Sequence, residues 1–264
     1  MIARRGNPWL AAYAVSGVLL LYAPIALLLL FSFNESHYLV FPMKGLTLDW
    51  YRRMAGNTGL FSALRNSLEV AAVASIAATM LGLLGAKAVT RYRFPGRAAS
   101  IGLVMAPLVI PEIVLGTSLL AFLLAAGLNL SLGTVMLGHV LLCAPFAFAV
   151  LSSRFAGFDP SLEEASLDLG ENGLATFVRV TTPLVLPGII ASLLLCFLIS
   201  FDEFLIAFFL AGTDQTLPIF MYSQLRFPKK LPEVLALGTC VILSSIALII
   251  LAELLRRRGS GTEQ

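Results

Sequence analysis

Residues 153–190 read SRFAGFDPSLEEASLDLGENGLATFVRVTTPLVLPGII, a polar segment between two long apolar runs. Asp159 followed by Pro160 is typical of a helix start. The aspartate oxygen accepts a backbone N–H of the first turn, and the proline has no N–H that would be left unpaired there. Ser161 with Glu164 offers an alternative capping box at the same place. Either pattern predicts a short helix at the start of this segment.

A corner and a second helix are expected next. Gly170 can leave the first helix through a left-handed backbone conformation. The following stretch, GLATFVRV, predicts a short helix that ends before Pro183 and Pro187. Helix, glycine corner and helix together predict a compact projecting element.

The composition of the whole chain places this element in a membrane protein. Of its 264 residues, 58% are hydrophobic and 12% are charged, which is too little polar surface for a soluble domain. Apolar runs of about 20 residues recur, and a helix of that length crosses a bilayer core. We predict a single all-α membrane domain, residues 1–264, with six transmembrane helices. The predicted spans are Pro8–Phe33, Leu68–Val89, Ala98–Ala126, Leu132–Ser152, Leu186–Ala211 and Val234–Leu255.

The basic residues predict that both termini are cytoplasmic. With this orientation the inner segments hold eleven Lys and Arg residues and the outer segments hold seven, an excess that the positive-inside rule favours. The net charge of +3 therefore indicates orientation, and no nucleic-acid binding is expected. The inner basic residues are Arg4, Arg5, Lys87, Arg91, Arg93, Arg97, Arg154, Arg179, Arg256, Arg257 and Arg258. The outer ones are Lys44, Arg52, Arg53, Arg65, Arg226, Lys229 and Lys230.

The acidic character of the first short helix bears on what it contacts. An amphipathic loop lying on the lipid headgroups is one interpretation. The inner leaflet is negative, however, and repels an acidic surface. A protein groove is therefore the favoured contact. The acidic residues are Glu163, Glu164, Asp168 and Glu171.

Motifs for catalysis are absent from the sequence. It contains no G-x-x-x-x-G-K-[ST], H-E-x-x-H or G-x-S-x-G pattern, so an enzyme is not favoured and no metal site is expected. His139 is predicted to bond to a neighbouring helix, with a proton relay as the alternative. The three cysteines all fall within spans and are interpreted as small packing residues. They are Cys143, Cys196 and Cys240.

The polar segment resembles a known family motif. EASLDLG, nine residues and VTTP is similar to the EAA loop of ABC-importer permeases, which reads E-A-A, three residues, G, nine residues and I-x-L-P. Ser166 stands at the third small position, and Val180 and Thr182 replace Ile and Leu. The matching residues are Glu164, Ala165, Gly170 and Pro183.

The resemblance extends along nearly the whole chain. LLFSFN, NSLEVA, RYRFPG, SFDEF and LPIFMYSQL all resemble the spermidine/putrescine importer family, and most closely the shorter of its two permease subunits. This implies a type I importer fold and a coupling loop at 153–184 that docks on the ATPase. In that loop Ala165 allows close approach, Glu164 meets a basic group and Gly170 sets the corner.

The resemblance also implies partners and a location. These are a second permease subunit, two ATP-binding cassette subunits and an external substrate-binding protein, assembled at the bacterial cytoplasmic membrane. ATP and magnesium are then bound by the ATPase subunits, and no cofactor is expected in this chain. The missing phosphate loop agrees with this division of labour.

Acidic residues inside the spans predict where cargo passes. An acid at mid-span costs about 2.5–3.5 kcal/mol on insertion scales, so Glu112, Asp202 and Glu203 are expected to face protein or water. Pro107 and Pro111 should bend the third span beside Glu112. Helical rise places Glu112 and Asp202 at similar depth, where both could face one cavity.

The two adjacent acids cannot point the same way, because they differ by about 100° around a helix. One of them would bind cargo while the other pairs with a neighbour or caps a bend, and Asp202 is the favoured cargo residue. An internal hydrogen-bonded network is the alternative for all three acids. Negative charges favour a cation, and the resemblance narrows this to a polyamine. The family motif usually has two aspartates where Asp202 and Glu203 stand, and an aspartate is common at Glu112, which leaves the polyamine's identity open.

Three functions remain open from the sequence. The first is an ABC-importer permease for a polyamine or another small amino compound. The second is a proton-coupled secondary transporter that uses Glu112 and Asp202, although the sequence lacks a convincing internal repeat. The third is an intramembrane enzyme, which has no recognisable catalytic set.

Overall fold

The computed structural model describes residues 8–259, and beyond Ile246 it describes the backbone alone, so Arg4 and Arg5 lie outside it. Within that range the only β feature is an isolated bridge between Asn34 and Leu46. The prediction of an all-α protein is confirmed. The helices are α1 Pro8–Phe31, α2 Asp49–Ala55, α3 Thr58–Arg91, α4 Arg97–Met105, α5 Glu112–Ala125, α6 Leu132–Ala156, α7 Ser161–Asp168, α8 Gly173–Thr176, α9 Thr182–Asp202, α10 Leu205–Leu210, α11 Leu217–Leu225 and α12 Leu231–Gly259.

Five of the predicted spans coincide with apolar helices long enough to cross a membrane. Among residues 8–259, four helices meet this condition singly and a bent pair adds a fifth span. α12 contains the sixth predicted span, Val234–Leu255, whose role as a span stays a prediction. The four helices are Ala12–Phe31, Thr58–Arg91, Leu132–Ala156 and Gly173–Asp202, and the bent pair is Arg97–Leu108 with Glu112–Ala125.

The third span is broken where its prolines predict. α4 ends at Met105, a 3₁₀ turn follows at Ala106–Leu108, and α5 begins at Glu112 after a bend of 102°. Pro107 and Pro111 lack the N–H groups that a continuous helix would use there. The predicted bend is confirmed, but helical rise no longer measures the depth of Glu112, because α5 runs in a different direction.

The fifth span differs from the prediction at both ends. Helical structure begins at Gly173 and continues past Pro183 through a π turn, Phe177–Thr181, so the prediction that GLATFVRV ends before the prolines is wrong. The Thr182 hydroxyl donates to the Phe177 carbonyl at 2.8 Å within this turn. The wider turn carries the chain past a proline that would interrupt a regular helix.

At its other end the same span is interrupted. α9 stops at Asp202, and Glu203 has an extended backbone before α10 begins at Leu205. A single helix over Leu186–Ala211 was therefore the wrong expectation. No proline or glycine marks this interruption in the sequence.

The described chain forms two compact units. One contains α1, α2 and α12, where Trp50 is buried and its indole Nε1 donates to the Asn34 carbonyl at 2.8 Å. The other, Gly59–Phe220, contains the broken spans and the polar segment. Its core packs α6 against α9 and α3 through fully buried small residues, which lets the helix backbones approach closely. These residues include Ala78, Cys143, Ala147 and Cys196.

Candidate functional site: two broken helices and a docking loop

The interruption after α9 separates two adjacent carboxylates. Asp202, the last residue of α9, is exposed, whereas Glu203 is only 7% exposed. The two Glu203 carboxylate oxygens accept hydrogen bonds of 3.0 Å from the backbone N–H groups of Ile206 and Ala207. Glu203 therefore caps α10, satisfying two N–H groups that a helix start leaves unpaired. This is the capping alternative foreseen for one of the two acids.

A histidine on α6 completes this cap. His139 Nε2 lies 3.2 Å from Glu203 Oε2, an ion-pair distance for the protonated ring. On its other side His139 Nδ1 lies 2.8 Å from the Ser200 hydroxyl of α9. The predicted hydrogen bond of His139 to a neighbouring helix is confirmed. The network joins α6, α9 and the start of α10 inside the protein.

The far end of α10 is held by the same helix, α6. Thr134 donates its hydroxyl proton to the Leu210 carbonyl at 2.8 Å, which satisfies one of the last carbonyls of α10. Gly138 allows the close approach, since a Cβ there would lie 2.6 Å from Ile206. α10 is thus fixed at both ends, and with it the position of the break.

Glu112 lies directly after the other break, whereas Asp202 lies directly before its own. It is the first residue of α5, after Pro111, and it is exposed. A carboxylate in the first helical turn interacts favourably with the positive end of the helix dipole. Glu112 at a helix N-terminus and Asp202 at a helix C-terminus both have side chains that are exposed in this chain.

The chemistry available at the breaks is charge attraction. Exposed carboxylates within apolar segments require protein or water opposite them, and their negative charge favours a cation. Within residues 8–259 no group of three His, Cys, Asp or Glu side chains could hold a metal ion.

The polar segment forms the predicted helix, corner and helix. The Ser161 N–H donates to Asp159 Oδ1 at 3.0 Å, and this hydrogen bond lowers the pKa of the Asp159 carboxyl. The alternative capping box is wrong, because Ser161 is already the first residue of α7. Gly170 has φ +91°, as the corner requires. Ser166 and Thr176 hydroxyls, 3.0 Å apart, join α7 to α8.

The predicted docking residues divide into two groups in this segment. Glu164, Ala165 and Gly170 are exposed, whereas Ser166 is 9% exposed and packs inward. Pro183 is exposed as the second residue of α9. The acidic pattern placed Glu163 on the contact surface of the first short helix, but its carboxylate turns back toward Arg91 of α3, a residue 72 positions away in the sequence.

Most of the chain matches the model of one protein family. The model of the binding-protein-dependent transport system inner membrane component matches residues 78–260. The chain belongs to this family. The helical units described above are therefore parts of an inner membrane transport component.

Similar proteins of this family span nearly the same length. The chain is 35% identical to a spermidine/putrescine transport system permease protein, PotC, of Haemophilus influenzae over 91% of this chain and 93% of the relative. It is 36% identical to a putrescine transport system permease protein, PotI, of Escherichia coli K12 over 89% of this chain and 86% of the relative.

Solved structures of similar transport components show the same fold. A bacterial ABC transporter involved in the import of the acidic polysaccharide alginate matches with a TM-score of 0.71 at 17% identity, covering 97% of this chain and 98% of that one. An amino acid ABC transporter matches with a TM-score of 0.59 at 16% identity, covering 81% and 100%. The fold is that of ABC-importer permeases.

Proposed function

We propose that this chain is one permease subunit of an ATP-driven importer that moves a polyamine across the bacterial cytoplasmic membrane. Similarity to polyamine permeases over about nine-tenths of the chain supports this role. The fold alone does not choose the cargo, since an alginate transporter shares it. One relative is named for putrescine and another for both polyamines, so both are candidate cargoes.

The observation that supports a cationic cargo is the placement of carboxylates at the two helix breaks. Asp202 and Glu112 are exposed in this chain and would line the pathway, where each could receive an ammonium group. Glu203 would support the wall of the pathway without contacting the cargo, because its carboxylate oxygens accept the backbone N–H groups at the start of α10. Broken helices are common at transport sites, since irregular backbone at membrane depth survives where it lines a cavity.

The polar segment would be the coupling loop, residues 153–184, of this single permease domain, residues 1–264. The exposed Glu164 and Ala165 would meet the groove of an ATPase subunit, while Gly170 and Pro183 set the shape of the loop. Ser166 would hold α7 on α8 from the inner side.

The remaining assembly follows the same proposal. Six spans with both termini in the cytoplasm would place this loop on the cytoplasmic side. A second permease subunit, two ATP-binding cassette subunits and an extracytoplasmic binding protein would complete the importer. ATP and magnesium would be bound by the ATPase subunits. One solved relative is an alginate transporter in complex with a periplasmic protein, which supports a binding-protein partner.

The test is uptake of labelled putrescine and spermidine by proteoliposomes that contain the complete importer and its binding protein. We expect saturable uptake that requires internal ATP and resists an excess of neutral amino acids. Uptake that follows a proton gradient without ATP would establish a secondary transporter instead. If another amino compound is taken up, and polyamines do not compete with its uptake, that compound is the cargo.

A further inference from the structure

An ion pair joins the coupling loop, residues 153–184, to the end of a transmembrane helix. Arg91, the last residue of α3, places Nε 2.6 Å from Oε2 of Glu163 on α7. The side chains are 12% and 13% exposed, although the residues lie 72 positions apart in sequence. A charge-assisted bond of this length, shielded from water, fixes α7 to α3 more firmly than a surface pair would.

The second oxygen of the same carboxylate reaches a third element. Thr181, fully buried at the end of the π turn, donates its hydroxyl proton to Glu163 Oε1. Thr181 directly precedes α9, the helix that carries Asp202. One carboxylate therefore connects α7 with the inner ends of α3 and α9.

Aromatic rings hold the arginine in place from the other side. The Arg91 guanidinium lies 4.3 Å from the ring centre of Phe158 and 5.6 Å from that of Phe155. Phe155 is fully buried in the core near the end of α6. The packing orients the guanidinium plane and ties the ion pair to the rigid core of this unit.

A second ion pair in the same loop provides a contrast. Arg179 pairs with Glu171, but these side chains are 70% and 36% exposed. Exposed pairs of this kind contribute little, because water and salt screen them. The two pairs share residue types and a location, and they differ in burial and in the number of elements that they join.

We propose that Arg91, Glu163 and Thr181 form a coupling latch that passes a displacement of α7 to α3 and α9 together. They are positioning residues, acting through the helices and not on the cargo. The inference rests on the proposed function of the chain as an importer permease. Without the latch, α7 can shift on its flanking loops while the helix ends stay in place.

The experiment measures uptake per ATP hydrolysed, with and without loaded binding protein, for the complete importer in proteoliposomes. Glu163→Gln keeps the side-chain size and removes the charge that Arg91 binds. We expect uptake per ATP to fall about fivefold or more, the lower range for coupling between two sites. The amount of assembled complex should stay at the wild-type level.

Two matched comparisons separate coupling from mere folding. Thr181→Val removes the hydroxyl and should lower uptake per ATP, while Thr181→Ser keeps the hydroxyl and should restore it. Arg179→Gln breaks the exposed pair and should behave as wild type. If Glu163→Gln does not assemble, the Val and Ser variants of Thr181 decide the question.

The outcomes are distinct. Wild-type uptake per ATP in both Glu163→Gln and Thr181→Val overturns the latch and leaves the proposed function intact. Absence of ATP-driven uptake in the wild-type importer overturns the proposed function, and the latch with it.

Discussion

Replacing Glu203 by Gln should destabilise the protein, although the substitution removes a charge from a membrane segment. The carboxylate accepts two backbone N–H hydrogen bonds of 3.0 Å at the start of α10. A hydrogen bond to a charged group contributes about 1.5–3 kcal/mol. Gln retains one oxygen, so Glu203→Gln should lose about 1.5–3 kcal/mol, and Glu203→Ala about twice that.

The assay is thermal melting of the purified complex in detergent, followed by a probe that reports on this subunit. Asp202→Asn is the matched control, because Asp202 is the adjacent carboxylate and is exposed. We expect Glu203→Gln to lower the melting temperature by several degrees and Asp202→Asn to leave it unchanged. Equal melting of Glu203→Gln and wild type would refute the capping role, as would an equal loss in both variants.

Three further predictions concern glycines and the coupling loop. Gly138→Ala places a methyl group 2.6 Å from an α10 side chain and should cost about 1–3 kcal/mol in a melting experiment, whereas Gly133→Ala meets only a hydroxyl at 3.5 Å and should be neutral. Gly170→Ala, at φ +91°, should cost about 1–2 kcal/mol and weaken co-purification with the ATPase, with Gly173→Ala as the unstrained control. Glu164→Lys should reduce both co-purification and uptake while membrane insertion stays normal, and unchanged values of both would remove it from the docking surface.

Features set by local backbone chemistry could be predicted from the sequence. Pro107 and Pro111 determine the bend in the third span because each removes a backbone donor. Gly170 determines the corner of the coupling loop, because the corner needs a positive φ and glycine adopts one without steric cost. Both effects act within one turn of the chain and need no distant partner.

Features set by tertiary contacts could not be predicted in the same way. The break after Asp202 contains no proline or glycine, and it is held by His139, which lies in another helix. The sequence predicted that one of Asp202 and Glu203 binds cargo while the other pairs or caps a bend, and the structure shows that Glu203 is the buried one. Helix geometry shows that the side chains of two adjacent residues point in directions about 100° apart. It does not show which of the two side chains faces the protein interior.

The coupling loop also combines features that the sequence predicts with features that depend on tertiary contacts. Its acidic residues are evident in the sequence, but Glu163 turns inward to Arg91 and Thr181 while the adjacent Glu164 turns outward. The partners of Glu163 are separated from it by 72 and 18 positions. The motif resemblance singles out Glu164, but only the packed structure assigns Glu163 to Arg91 and Thr181.

The most direct test of the proposed pathway is polyamine uptake by the complete importer carrying Asp202→Asn. The change removes one charge and keeps the size of an exposed side chain. The account predicts at least about a tenfold loss of uptake, roughly 1.4 kcal/mol of lost stabilisation of the cation, with normal assembly and binding-protein-stimulated ATP hydrolysis still present. Unchanged affinity and rate of uptake would contradict it and remove Asp202 from the path of the cargo.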